Sequence, residues 1–240
     1  MQCALCLRER DLKRSHIIPE FLYESLYDDK HRLQILSVLP DGKNQLKQKG
    51  ERERLLCDRC EAQFSRYERY ASLILGSKLP IKVEREGNLL TLFGLDYKNF
   101  KLFQLSILWR AGISTLPLFS RVQLGPHAER LRVMLLAEDP GLPEQYACIM
   151  WLLAAQEGII PALIMQPTRV RMLEKPAYKF KMGHLMWVYL VSSEAPSYPF
   201  QFCILREMGE AVMQIGNINE MHDLRTFVQT AMKLGRGPKA

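Results

Sequence analysis

At 240 residues, with 48% apolar and 25% charged positions, the chain has the composition of an ordinary globular protein and enough apolar side chains for a core of normal size. That balance excludes disorder for any long stretch, and six cysteines in a chain of this length exclude a disulfide scaffold. The formal charge of +7 favours anionic partners, although Lys and Arg alternate with Asp and Glu in Arg8-Glu9-Arg10-Asp11 and Glu51-Arg52-Glu53-Arg54, the pattern of a solvated face.

The chain enters a charged stretch directly after Met1-Gln2-Cys3, without the apolar segment of a signal peptide, and its longest apolar run, Ala147 to Ala155, is shorter than the ~20 residues that cross a bilayer. The expectation is a cytoplasmic protein with no membrane contact, in a compartment that keeps thiols reduced.

Cys3-Ala4-Leu5-Cys6 is the first chemical signal. It is answered by Cys57-Asp58-Arg59-Cys60, and two residues between paired cysteines let both sulfurs reach one ion. Cys3, Cys6, Cys57 and Cys60 therefore read as a complete ligand set for a structural Zn2+, with no open coordination position for water. Between the pairs, Asp11 to Ile18 reads as a strand, Pro19 to Leu26 as a helix with proline in its first turn, Asp41-Gly42 as a turn, and Gln45 to Leu56 as containing a returning strand. A long helix follows from about Asp58 to the Gly76 and Pro80 stop. Cys60, Phe64, Tyr67, Ala71 and Ile74 fall on its inward face, with Glu61, Ser65, Glu68 and Ser72 on an adjacent polar stripe. Glu68 reads as a solvent-facing charge unless the fold brings another group beside it.

Past Lys78 the texture changes. Leu79 to Glu86 and Asn88 to Phe93 alternate around Gly87 as a hairpin, and Tyr97 to Ser114 and Pro126 to Asp139 read as helices. From Tyr146 to Ile218 the sequence is mostly strand-like, with segments at Ile159 to Met165, Val170 to Leu173, Leu185 to Val191, Phe200 to Leu205 and Ala211 to Ile215; Asn219 to Leu234 is a closing amphipathic helix. Trp109, Trp151 and Trp187 sit among aliphatics as core residues, and Cys148 and Cys203 pack as small hydrophobes. The expected fold class is α+β: a small zinc module over residues 1–78, then a larger α+β domain over residues 79–240 with a mostly antiparallel sheet.

From Cys3 to Arg69 the chain resembles the HNH (His-Asn-His) nucleases, whose ββα-metal fold is built on a treble-clef zinc finger. Ser15-His16-Ile17-Ile18-Pro19 matches the family's histidine-bearing strand, and Leu55-Leu56-Cys57-Asp58-Arg59-Cys60-Glu61 matches the opening of its helix. The resemblance implies His16 as the general base that draws a proton from water. It also implies Glu61, in the place of the last histidine, as ligand to a catalytic Mg2+ or Mn2+, since hard cations favour carboxylate oxygen. The acidic residue before the histidine is Ser15 here, and the family's asparagine corresponds to Arg52. Arg59, Arg66 and Arg69 are available for the phosphates of a nucleic acid, DNA or RNA. Two functions stay open. One is a metal-dependent endonuclease. The other is a non-catalytic zinc module that binds nucleic acid or protein, fused to an interaction or sensor domain. Residues 79–240 carry no Gly-rich phosphate loop, G-x-S-x-G elbow or H-E-x-x-H motif; a protein partner or self-association through them is the remaining expectation.

Overall fold

The computed structural model describes residues 1–35, 45–155, 158–159, 163–198 and 200–217. The expected Asp41-Gly42 turn, the helix from Asn219 to Leu234 and positions 160–162 of the strand expected from Ile159 fall outside them.

The cysteine pairs are placed by a short antiparallel pair and a helix. Strand β1 (Leu12–His16) leads to two 3-10 turns, Glu20–Leu22 and Glu24–Leu26, where the sequence predicts one helix. Tyr27 bridges to Leu33 immediately afterwards, and a segment this short cannot offset the cost of nucleating α-helix. Strand β2 (Leu33–Ile35) pairs with β3 (Gln45–Lys47), and the returning strand β4 (Arg52–Cys57) pairs with β1. The β1–β4 register shifts between Lys13 and Arg14, so Leu55 forms a bulge. The bulge lets Leu55, Leu56 and Cys57 all face inward, which strict alternation forbids. Helix α1 (Asp58–Leu75) starts directly at the second cysteine pair and buries Cys60, Phe64, Tyr67, Ala71 and Ile74 as the heptad-like spacing predicts.

Strands β5 (Lys82–Glu86) and β6 (Leu89–Phe93) form the expected hairpin, with Gly87 supplying the positive φ of its turn. Helix α2 (Tyr97–Ile113) is capped by Asp96, whose side chain accepts from Asn99 N at 3.0 Å, and it is buried without a break from Phe100 to Ala111. It is a central helix, covered on one side by α1 and α3 (His127–Ala137) and on the other by a sheet. The sheet comprises β7 (Cys148–Ala155), β8 (Gly158–Ile159), β9 (Thr168–Met172), β10 (Lys175–Met182), β11 (Leu185–Leu190) and β12 (Ala211–Asn217) together with the hairpin. Its order is β5-β6-β12-β7-β11-β10-β9, with β8 on β7; the β12–β7 pair is parallel and the others are antiparallel. Mixed α/β architecture with a mostly antiparallel sheet is thus the fold.

Strand β11 is buried at all six positions because both sheet faces are covered. Trp187 and Tyr189 face α2, whereas Met186, Val188 and Leu190 join a second apolar layer with Ile204 and Phe200. That layer explains why Phe200 to Leu205 is not a strand: Phe200 N donates to Ser197 O and Cys203 N to Phe200 O, closing a 3-10 turn over the sheet. From 163 to 167 the chain also departs from the expected strand, held by Leu163 N to Gly183 O, Met165 N to Lys181 O and the Gln166 side chain to Pro117 O at 3.1 Å. Trp109 and Trp187 are core residues, but Trp151 is half-buried and donates to Gln214 Oε1 at 3.0 Å. One apolar core runs from Cys3 to Met213, so residues 1–78 pack directly on the rest of the chain.

Candidate metal centre and the His16 cluster

The two C-x-x-C pairs meet. Cys3 and Cys6 lie in a turn before β1, Cys57 ends β4 and Cys60 opens α1; their four sulfurs all lie within 4.8 Å of one another. A tetrahedral Zn2+ with Zn–S bonds of about 2.3 Å requires S···S separations of about 3.8 Å, and Cys6 Sγ and Cys57 Sγ are 3.9 Å apart. Cys57 N donates to Cys3 Sγ at 3.3 Å, the contact that a thiolate ligand accepts. Burial and the neighbouring Cys57 thiol push Cys60 well above the ordinary thiol value, the penalty that a bound cation removes. The four cysteines therefore fit a metal ion such as zinc. On the far side, Arg132 of α3 donates to Leu5 O at 2.7 Å and holds the turn from outside.

The second cluster lies where β1 ends. His16 Nε2 is 2.7 Å from Glu20 Oε2, too poorly aligned for a straight hydrogen bond, so the contact is first an electrostatic one. Glu20 Oε1 in turn accepts from Tyr27 Oη at 2.7 Å, and that hydroxyl accepts from Gly50 N at 3.2 Å. A carboxylate beside Nε2 keeps the proton on that nitrogen. The other ring nitrogen, Nδ1, has no partner among the described residues and is not a buried atom. Burial lowers the His16 pKa below its ordinary value; Glu20 and Glu68 act against that shift, and Arg52 and Arg110 reinforce it. Burial thus favours the neutral imidazole.

Glu61 is reached from the residue before. Ser15, fully buried, donates its hydroxyl to Glu61 Oε2 at 2.6 Å, and Glu61 Oε1 has no hydrogen-bond partner among the described residues. Burial raises the Glu61 pKa against the opposing effects of Ser15 and Arg110. Ser15 therefore cannot supply a ligand charge, but it aims the carboxylate that can.

Glu68 is not the solvent-facing charge that its sequence position suggests. Its side chain is 22% exposed, and its Oε1 lies 2.7 Å from Arg110 Nη1. Arg110 is 1% exposed; Nη1 also donates to His16 O at 2.6 Å, while Nε and Nη2 donate to Ser106 O and Oγ. Glu68 and Arg110 are the charged groups that act on both His16 and Glu61. Neither Arg110 nor Glu20 is a site residue in the sequence reading. Arg110 sits in an apolar helix remote from the motif and offered no signal, whereas Glu20, four residues after His16, was within reach of a local reading.

The three arginines assigned to phosphates do not act together. Arg59 lines a cleft of about 710 Å3 beside the cysteines, with Arg8, Arg10, Gln63 and Arg66. Arg66 is held in a bidentate pair by Glu138, at 2.8 and 2.7 Å, and Arg69 lies outside the cleft. Arg8, Arg10 and Arg59 have no side-chain partner among the described residues. By helical spacing the cleft lies on the flank of α1 away from Glu61 and Glu68.

Set against known proteins, the chain matches no family model, no curated protein and no solved structure. The likeness to HNH nucleases rests on its motif residues alone. No helix among the described residues is long and apolar enough to cross a membrane.

Proposed function

We propose that the chain is a metal-dependent endonuclease that hydrolyses phosphodiester bonds of DNA or RNA, with residues 1–78 as its zinc-built catalytic module. The observation that carries this reading is the His16 cluster: an imidazole with Nε2 facing Glu20 at 2.7 Å and Nδ1 open, while the preceding residue, Ser15, holds Glu61 through Oε2 and leaves its Oε1 available. His16 Nδ1 takes a proton from water as its oxygen attacks phosphorus; the P–O bond to the leaving sugar oxygen breaks, and that oxygen takes a proton from solvent. Glu61 fits a hard cation by donor type, and Mg2+ or Mn2+ there would supply charge neutralisation on the phosphate. Glu20 and Tyr27 keep the ring in the tautomer that accepts at Nδ1. The test is cleavage of supercoiled plasmid and of single-stranded DNA and RNA in Mg2+ or Mn2+, comparing the wild type with His16→Ala at equal zinc content. Loss of cleavage in the variant supports the reading; equal cleavage by both, or none by the wild type, ends it.

A second reading is favoured by the cleft. Three unpartnered arginines beside the cysteines, on the other flank of α1, suit a zinc module that binds a polyanion without cutting it. Metal-independent binding with no cleavage would select it. In either reading the region from 79 onward serves as the body against which the module is held, and a protein partner or self-association through it is a further proposal.

A further inference from the structure

We propose that Arg110, on a helix outside the zinc module, is the positioning residue of the His16 centre, so that residues beyond 78 complete the site. The inference rests on the endonuclease reading for its kinetic arm only. A guanidinium at 1% exposure is costly to bury, and this one is offset by a definite set of partners: His16 O at 2.6 Å, Glu68 Oε1 at 2.7 Å, and Ser106 Oγ at 3.2 Å. Its planar fork spans the end of β1 and the polar stripe of α1, the two elements that carry His16 and Glu61. The stack on Phe64, with Arg110 Cζ 5.3 Å from the ring centroid, fixes the plane of that fork.

The same region is anchored a second time. Glu53, directly opposite Ser15 across the β1–β4 pair, accepts from Ser114 Oγ at 2.7 Å and from Thr115 N at 3.1 Å. Two ties one helical turn apart thus hold α2 to the strands that present Ser15 and His16. Arg52 carries the charge opposite His16 across the same pair, but its side chain has no hydrogen-bond or ion-pair partner among the described residues. The clamp on the histidine comes from α2.

The experiment uses the full chain as wild type, Arg110→Lys, and Arg110→Met with Glu68→Gln; the double change leaves no lone buried carboxylate. Zinc content and cooperative melting are checked first. Two quantities follow: kcat and KM for plasmid cleavage, and the NMR order parameter of the His16 imidazole. The expected result is a fall in kcat of at least tenfold with KM within twofold in the double variant, together with a drop in ring order below that of the wild type. Arg110→Lys, which keeps charge and burial, lies between. A folded, zinc-loaded variant whose ring stays as ordered as in the wild type overturns the proposal, whatever its activity. Ring order that falls in a chain whose wild type cuts nothing upholds Arg110 as the positioning residue while the endonuclease reading fails.

Discussion

Ser15 Oγ donates to Glu61 Oε2 at 2.6 Å, joining the strand and the helix whose ends also carry the four clustered cysteines. A hydrogen bond to a carboxylate contributes about 1.5–3 kcal/mol when its removal strands a partly buried acceptor. Ser15→Ala is expected to lower stability by that amount and to weaken Mn2+ binding at Glu61. Denaturant unfolding and a Mn2+ titration at constant zinc measure both.

Burial lowers the His16 pKa, so the acid limb of the pH–rate profile is expected below pH 6.5, the ordinary histidine value. The same shift makes the unfolded chain bind more protons than the native one as pH falls through this range, so the stability this group contributes is present above pH 6.5 and is lost on acidification. Glu20 raises the His16 pKa; Glu20→Gln therefore moves the limb further to the acid side. A limb above pH 6.5 in the wild type contradicts this account of the base.

Metal removal has a different signature. The four cysteines draw together the turn before β1, the end of β4 and the start of α1, so removing an ion bound there is expected to unfold that corner. Cys57→Ser is expected to lose zinc, lower the melting temperature and expose Phe64 and Tyr67. Metal analysis of the wild type is expected to give a single zinc per chain.

Arg8, Arg10 and Arg59 line one cleft without ion-pair partners among the described residues, whereas Arg66 is occupied by Glu138. Reversing the charge of the first three is expected to weaken nucleic-acid binding and to flatten the plot of log affinity against log salt by about one unit for each phosphate no longer neutralised. Arg66→Ala should leave that slope nearly unchanged. Fluorescence anisotropy over a salt series separates the two.

Lys101, a buried residue of α2, donates to Pro143 O at 3.0 Å and has its pKa lowered to about 8 by burial. Between pH 8 and 10.5 the unfolded chain binds more protons at this site, so native stability gains with rising pH, by at most about 3 kcal/mol. Lys101→Met removes that gain, which is read as the change with pH in the stability difference between variant and wild type.

What the sequence could and could not say follows from the range of the interactions. The α1 face of Cys60, Phe64, Tyr67, Ala71 and Ile74 was legible because one local period generates it. The meeting of the four cysteines was legible because metal-ligand spacing is local within each pair. The 3-10 turns after Pro19 were not, since the Tyr27–Leu33 bridge that cuts the helix short is a pairing between segments. Glu68 read as a surface charge because its partner, Arg110, is distant in the chain. Composition gives such a pairing no trace: an arginine inside the apolar run of α2 looks the same whether it neutralises a carboxylate or reaches solvent.

Strand β12 pairs with β6 on one side and β7 on the other. During synthesis the β5–β6 hairpin therefore leaves the ribosome with no route into the main sheet until Ala211–Asn217 has followed it. The hairpin must wait as an unpaired edge while residues 94–210 are made, and closing it is a late, long-range step. In a chain stalled before Ala211, the cysteine corner and α1 are already complete while the sheet stays in two pieces.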